Sequence, residues 1–155
     1  MVHQSGRAHG VEQHELHVEL ARWLIAHEMS AAGDMLAEPE AAERACRKLL
    51  DRLARLITPR GSQALLSRAL YLARADFTFL RGIEHVSTAE TYVEGLARSA
   101  DGTDPGQVHR GLTTLLGTLI GLVALFVGEQ LMTRMLLEIW PAAPLLKATQ
   151  PAARR

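Results

Sequence analysis

Residues Gly111–Gly128 read GLTTLLGTLIGLVALFVG, eighteen residues without a charge in a 155-residue chain of which 22% is Asp, Glu, Lys or Arg. Whether this run crosses a membrane or forms the buried centre of a helical protein decides the fold. Advancing each residue by 100° separates the run into two unlike faces. Thr114, Gly117, Thr118, Gly121, Ala124 and Gly128 share one sector, interrupted by Leu125. Leu112, Leu115, Leu116, Leu119, Ile120, Leu122, Val123, Phe126 and Val127 lie opposite, uniformly large and apolar. Beyond Gly128 the first sector continues through Leu131, Met132, Met135, Leu136 and Ile139, whereas Gln130, Thr133, Arg134 and Glu138 replace the large residues on the other side. The small sector therefore faces a core along the whole helix, and Gly117 and Gly121 are expected to mark close helix packing.

Eighteen residues is short for a hydrocarbon core about 30 Å thick, and the glycines and threonines offset much of the gain from Leu, Ile, Val and Phe. A buried helix is the expected state, provided that the rest of the chain supplies cover. Four preceding segments have the pattern to do so. From Glu12 to about Met35, the residues Leu16, Leu20, Trp23, Leu24, Ala31 and Met35 recur at helical spacing. A second helix is predicted from Glu38-Pro39 to Thr58-Pro59, with Ala42, Cys46, Leu49, Leu53 and Leu56 as its seam. Ser62 is the expected N-cap of a third, in which Leu65, Leu66, Ala69, Leu72, Ala73, Phe77 and Leu80 turn inward until Arg81-Gly82. The spacing of Ser87 and Glu90 predicts a capping box for a short fourth helix carrying Ala89, Tyr92, Val93 and Leu96 to about Gly102. Asp104-Pro105 starts the last, which at 1.5 Å per residue would reach about 54 Å by Trp140 and is expected to bend or break near Gly128. Neither alternating strands nor internal repeats are apparent.

The expected fold is thus all-α: a single domain of about five helices over residues 12–140, wrapped around the apolar C-terminal helix. Residues 1–11 are expected to form a flexible lead-in and the Pro/Ala-rich residues 141–155 a flexible tail or linker. The N-terminus has no apolar run of the kind a secretory signal needs, and one cysteine permits no internal disulfide, so a cytoplasmic setting is expected. The 17 basic and 17 acidic side chains cancel, which argues against nucleic acid as a partner.

No constellation rises to an enzyme, and no cofactor or metal is expected. His14 and His17 share a helix face, but no second ligand pair matches them. His27, beside Leu20 and Trp23, and His109, in QVHRGLTTLLG, are the weak cofactor candidates. Four residues beyond His109 stands Thr113, where a phosphotransfer helix has a small residue, usually glycine, to admit its partner. The serines have no nucleophile elbow, and the glycines follow no strand and precede no Lys-Ser/Thr pair.

The short fourth helix is expected to leave part of the large face open. Leu116, Leu119, Val123 and Phe126 are accordingly predicted to meet a second copy in a homodimer. These readings describe a non-enzymatic regulatory or sensory protein–protein interaction module of a bacterial-type signalling system, able to serve a partner or output domain. Two other classes follow from the same run: a small-molecule or haem sensor with its pocket beside the glycine stripe, and a membrane-active protein that inserts residues 111–128.

Overall fold

The computed structural model describes residues 2–31, 36–83 and 95–143, and these form an all-α structure. Six α-helices are seen among them: α1 (Val2–Ala31), α2 (Glu38–Ala54), α3 (Pro59–Arg74), α4 (Leu96–Ala100), α5 (Pro105–Val127) and α6 (Glu129–Ile139), with a 3₁₀ turn at Thr78–Gly82. The central element is α5, which packs against α1, α2, α3 and α6, while α1 and α3 each also pack on α2. One continuous cluster of buried side chains runs through these contacts.

The first helix departs from expectation at its start and in its phase. It begins at Val2, so residues 2–11 of the predicted flexible lead-in are helical, in keeping with the low cost of extending a helix compared with nucleating one. Its buried stripe is Leu20, Ala21, Leu24, Ile25 and Glu28, whereas Leu16 is 48% exposed and Ala31 is also exposed. Gly33, Asp34 and Met35, expected at its end, lie outside the described residues.

The second helix buries Ala42, Cys46, Leu49 and Leu53 as expected, but it stops at Ala54 and leaves Leu56 exposed. The cause is the use made of Thr58-Pro59. Instead of ending α2 it opens α3: Thr58 is the N-cap, its hydroxyl accepts the Gly61 N–H, and Pro59 occupies the first turn. Ser62 is therefore not the cap. It is buried one turn inside α3, where its hydroxyl donates to the Leu50 carbonyl and ties α3 to α2.

The third helix also ends early, at Arg74. The Arg74 guanidinium donates to the carbonyls of Leu80 and Ile83, and the Ser99 hydroxyl donates to that of Phe79, which fixes the following 3₁₀ turn against α4. Leu66, Ala69, Ala73 and Leu80 are buried as expected and Leu65 and Phe77 pack against the core, but Leu70 takes the inward place assigned to Leu72. The expected capping box at Ser87 and Glu90, with Ala89, Tyr92 and Val93, lies outside the described residues. Of that segment Leu96 is buried, and its N–H donates to the Glu43 carboxylate at 3.0 Å. Burial pushes the Glu43 carboxyl above its ordinary range, and this hydrogen bond opposes the shift.

The last pair of helices forms as read. Asp104 caps α5 by accepting the Gln107 N–H. The predicted break falls at Gly128, whose φ of 96° with ψ of 151° is a conformation in which a side chain is strongly disfavoured, and α6 runs on from it until Trp140-Pro141. The end of the tail, residues 144–155, lies outside the described residues.

Candidate functional site

The large face of α5 is the first place where the expected site and the structure part. Leu116, Leu119 and Val123 are each 0% exposed within the chain itself. Leu112, Leu115 and Ile120 are buried with them, on a helix against which α1, α2, α3 and α6 all pack. The predicted interface at Leu116, Leu119 and Val123 is thereby corrected: these side chains belong to the monomer's core. Phe126 alone of the four is at the surface, 61% exposed, beside Leu125 at 84%.

The opposite stripe is occupied by α1. A Cβ on Gly117 would stand 3.0 Å from Val18 Cα and 3.1 Å from Val18 N, so here two helix backbones meet as closely as the small-residue pattern implied. A Cβ on Gly121 would instead meet the His17 ring, 3.2 Å from Nδ1. The two glycines are unequal: one admits backbone and the other admits an imidazole.

That imidazole bridges three helices. His17 stands on α1 against Gly121 of α5, and its Nε2 lies 3.5 Å from a carboxylate oxygen of Glu129, the first residue of α6. Burial lowers the pKa of His17, with Glu129 opposing the shift and His14 adding to it. A histidine whose folded pKa lies below its unfolded value of about 6.5 binds a proton more readily once unfolded. Stability is therefore expected to hold above that value, to fall as pH drops through it, and to level off below the folded pKa. Urea unfolding of the wild type and His17→Asn between pH 8 and about pH 5 tests this; parallel profiles for the two proteins would show that His17 is not the titrating group.

The cofactor candidates each have a structural partner. His109 Nδ1 lies 2.5 Å from Glu38, so the start of α5 is tied to the start of α2. His27 is half-buried and its ring stacks on Trp23, with centroids 4.8 Å apart and planes inclined by 13°. Cys46 is fully buried, and desolvation, with a contribution from Glu43, pushes its thiol up to about 12. It remains a thiol at neutral pH, a core residue and not a nucleophile. Among the described residues no three His, Cys, Asp or Glu side chains converge as a metal site requires.

The feature that the sequence reading missed is Glu28. It follows Ala21, Leu24 and Ile25 on the buried stripe of α1 and is 0% exposed. One of its oxygens, Oε2, accepts hydrogen bonds from Lys48 Nζ of α2 and from the indole Nε1 of Trp140, both at 2.7 Å. The other, Oε1, is buried and has no hydrogen-bond partner among the described residues. The lysine reaches solvent, with 43% of its side chain exposed, whereas Trp140 is 1% exposed. The signal was available: position 28 is seven residues from Ala21, four from Leu24 and three from Ile25, so an acid there must be buried if that stripe is the seam. Weighting Trp23 and Leu16 instead rotated the predicted seam and placed Glu28 outside it.

Chemically this node holds rather than reacts. A buried carboxylate bound to an ammonium and an indole joins α1, α2 and the end of α6, and Arg52 of α2 reinforces the last link through Glu138. Its partners are two donors, the Lys48 side chain and the Trp140 indole N–H. Comparison with protein-family models, curated proteins and solved structures yields no match to this chain.

Proposed function

We propose that this chain is a non-enzymatic regulatory or sensory interaction module of a bacterial-type signalling system, working in the cytoplasm as a single bundle wrapped around α5. It pairs with a second copy through the outer end of that helix. The observation that carries this reading is the exposure of Leu125 and Phe126, 84% and 61%, on a helix whose other large apolar side chains are buried or half-buried. Two neighbouring apolar side chains presented at a helix corner form the kind of patch that self-association covers. The interface is thus placed at the end of the face first expected to carry it. The glycine stripe, filled by Val18 and His17, supports this reading over a ligand pocket beside it.

At about 0.5 M salt, where surface charge is screened, the wild type is expected to sediment as a dimer at micromolar concentration, and Phe126→Arg as a monomer with unchanged helical circular dichroism. A monomeric wild type would remove the proposal. A membrane-active role is the second reading, favoured by one observation: α5 is 23 residues long with a mean hydropathy of 1.8 over an 18-residue window, 56% of which is buried. Stable partition of the full chain into neutral lipid vesicles, with α5 protected from proteolysis, would favour it.

A further inference from the structure

Two outward helix stripes of opposite charge stand on different helices. On α1, Glu12, Glu15, Leu16 and Glu19 recur at intervals of three and four, and all four side chains are exposed. An open groove of about 350 Å³ runs beside them, lined by His14, Glu15, Val18, Glu19 and Arg22, in which Arg22 pairs with Glu19. On α3 and its C-cap the same spacing brings out Arg68, Tyr71, Leu72 and Ala75, with Tyr71 66% and Leu72 39% exposed. The Arg68 guanidinium lies over the Tyr71 ring, 5.7 Å from its centroid. Tyr71 and Leu72 floor a groove of about 480 Å³ flanked by Arg74 and Arg81.

Charge is segregated between these helices although the chain as a whole has none. The α3 segment carries Arg60, Arg68 and Arg74 and no acidic residue, with the exposed Asp76 just beyond its end, whereas the outer face of α1 carries three glutamates and one arginine, Arg22, around one exposed leucine. Each stripe has an apolar centre and a charged border, and the borders have opposite net sign. Helices of this kind pair by placing apolar side chains against one another with ion pairs at the margins.

We infer that the arginine-bordered groove on α3 receives the glutamate–leucine stripe of α1 from a second copy, Leu16 packing on Tyr71 and Leu72 while Glu15 and Glu19 face Arg68 and Arg81. Because the two surfaces differ, the contact is heterologous, and it propagates or closes as a ring instead of ending at a two-fold pair. It rests on the reading of this chain as a self-associating module and adds to the α5 corner a second, electrostatic contact.

Sedimentation of the full chain separates the two. In low salt, about 20 mM, the mass is expected to rise with concentration beyond a dimer, and at about 0.5 M that rise is lost through screening, leaving the salt-insensitive pair. Arg68→Glu with Arg81→Glu gives one variant and Glu15→Arg with Glu19→Arg another. Neither is expected to associate beyond the pair, and an equimolar mixture of the two is expected to do so again, because each stripe then meets its opposite. Leu16→Ala and Tyr71→Ala change no charge and are expected to weaken the salt-sensitive association at least tenfold. The inference fails if the low-salt wild type stops at a monomer or dimer, if the mixture stays unassociated, or if Leu16→Ala and Tyr71→Ala leave the association intact. If Phe126→Arg abolishes the pair but keeps the salt-sensitive assembly, both contacts stand. If Phe126→Arg abolishes all association, the inferred contact fails while the corner dimer survives.

Discussion

Glu28→Ala is expected to lower the unfolding free energy by about 2–3 kcal/mol, the upper part of the range for leaving a buried donor without its acceptor. For a chain of this size that is a loss of roughly 5–10 °C in melting temperature. The substitution removes the acceptor shared by Lys48 and Trp140 and leaves an almost fully buried indole N–H without a partner. The cost does not fall mainly on the lysine, which is partly exposed and can turn its ammonium into water. Trp140 has no such escape. Glu28→Gln is therefore the informative companion: its amide oxygen still accepts from the indole, so the loss should fall to about 1–2 kcal/mol. Thermal unfolding of both variants, with Trp140→Phe in each background, measures the coupling between the carboxylate and the indole. An alanine variant that melts within a degree or two of wild type would mean that the node does not hold the end of α6.

The same residue shows where sequence reading was strong and where it failed. Periodicity carried the helical class, the starts of α2 and α5 and the break at Gly128, because Pro, Asp and Gly at helix ends act locally and leave a mark at one position. Phase is a different kind of information. On α1 several rotations bury comparable numbers of apolar residues, and the one adopted is set by where α5 and α2 approach, which no local signal reports. The adopted phase puts Glu28 inside and Leu16 outside. A similar ambiguity affected Thr58-Pro59, a dipeptide equally suited to following one helix or opening the next. Cover was the third failure. The count of apolar faces suggested that α5 had more surface than its neighbours would bury, but α1, α2, α3 and α6 all pack on it, Leu116, Leu119 and Val123 are buried, and the large apolar side chains left exposed on it are Leu125 and Phe126.

Gly117→Leu is expected to be the other severe substitution. Both glycines lie on the same stripe and are expected from the sequence to mark close packing, but the structure ranks them differently. At Gly117 the added Cβ meets the backbone of Val18, with Cα at 3.0 Å and N at 3.1 Å, so relief requires α1 to move away from α5 along a packed interface. At Gly121 it meets only the His17 imidazole, a side chain that can rotate. Against both contacts stands the gain of about 1 kcal/mol from replacing a mid-helix glycine by alanine. Gly121→Ala is therefore expected to be stabilising by up to about 1 kcal/mol, because a small shift of the ring offsets little of that gain. Gly117→Ala is expected to lose about 1 kcal/mol, since displacing a backbone outweighs the helix term, and Gly117→Leu about 3 kcal/mol or more as the whole side chain is forced between the helices. Urea unfolding monitored by circular dichroism, with the midpoint read at constant slope, separates these cases. If Gly121→Ala proved more damaging than Gly117→Ala, the close approach of α1 and α5 would have to lie one helical turn further along α5, at the level of His17, and the imidazole would be a fixed strut instead of a yielding neighbour.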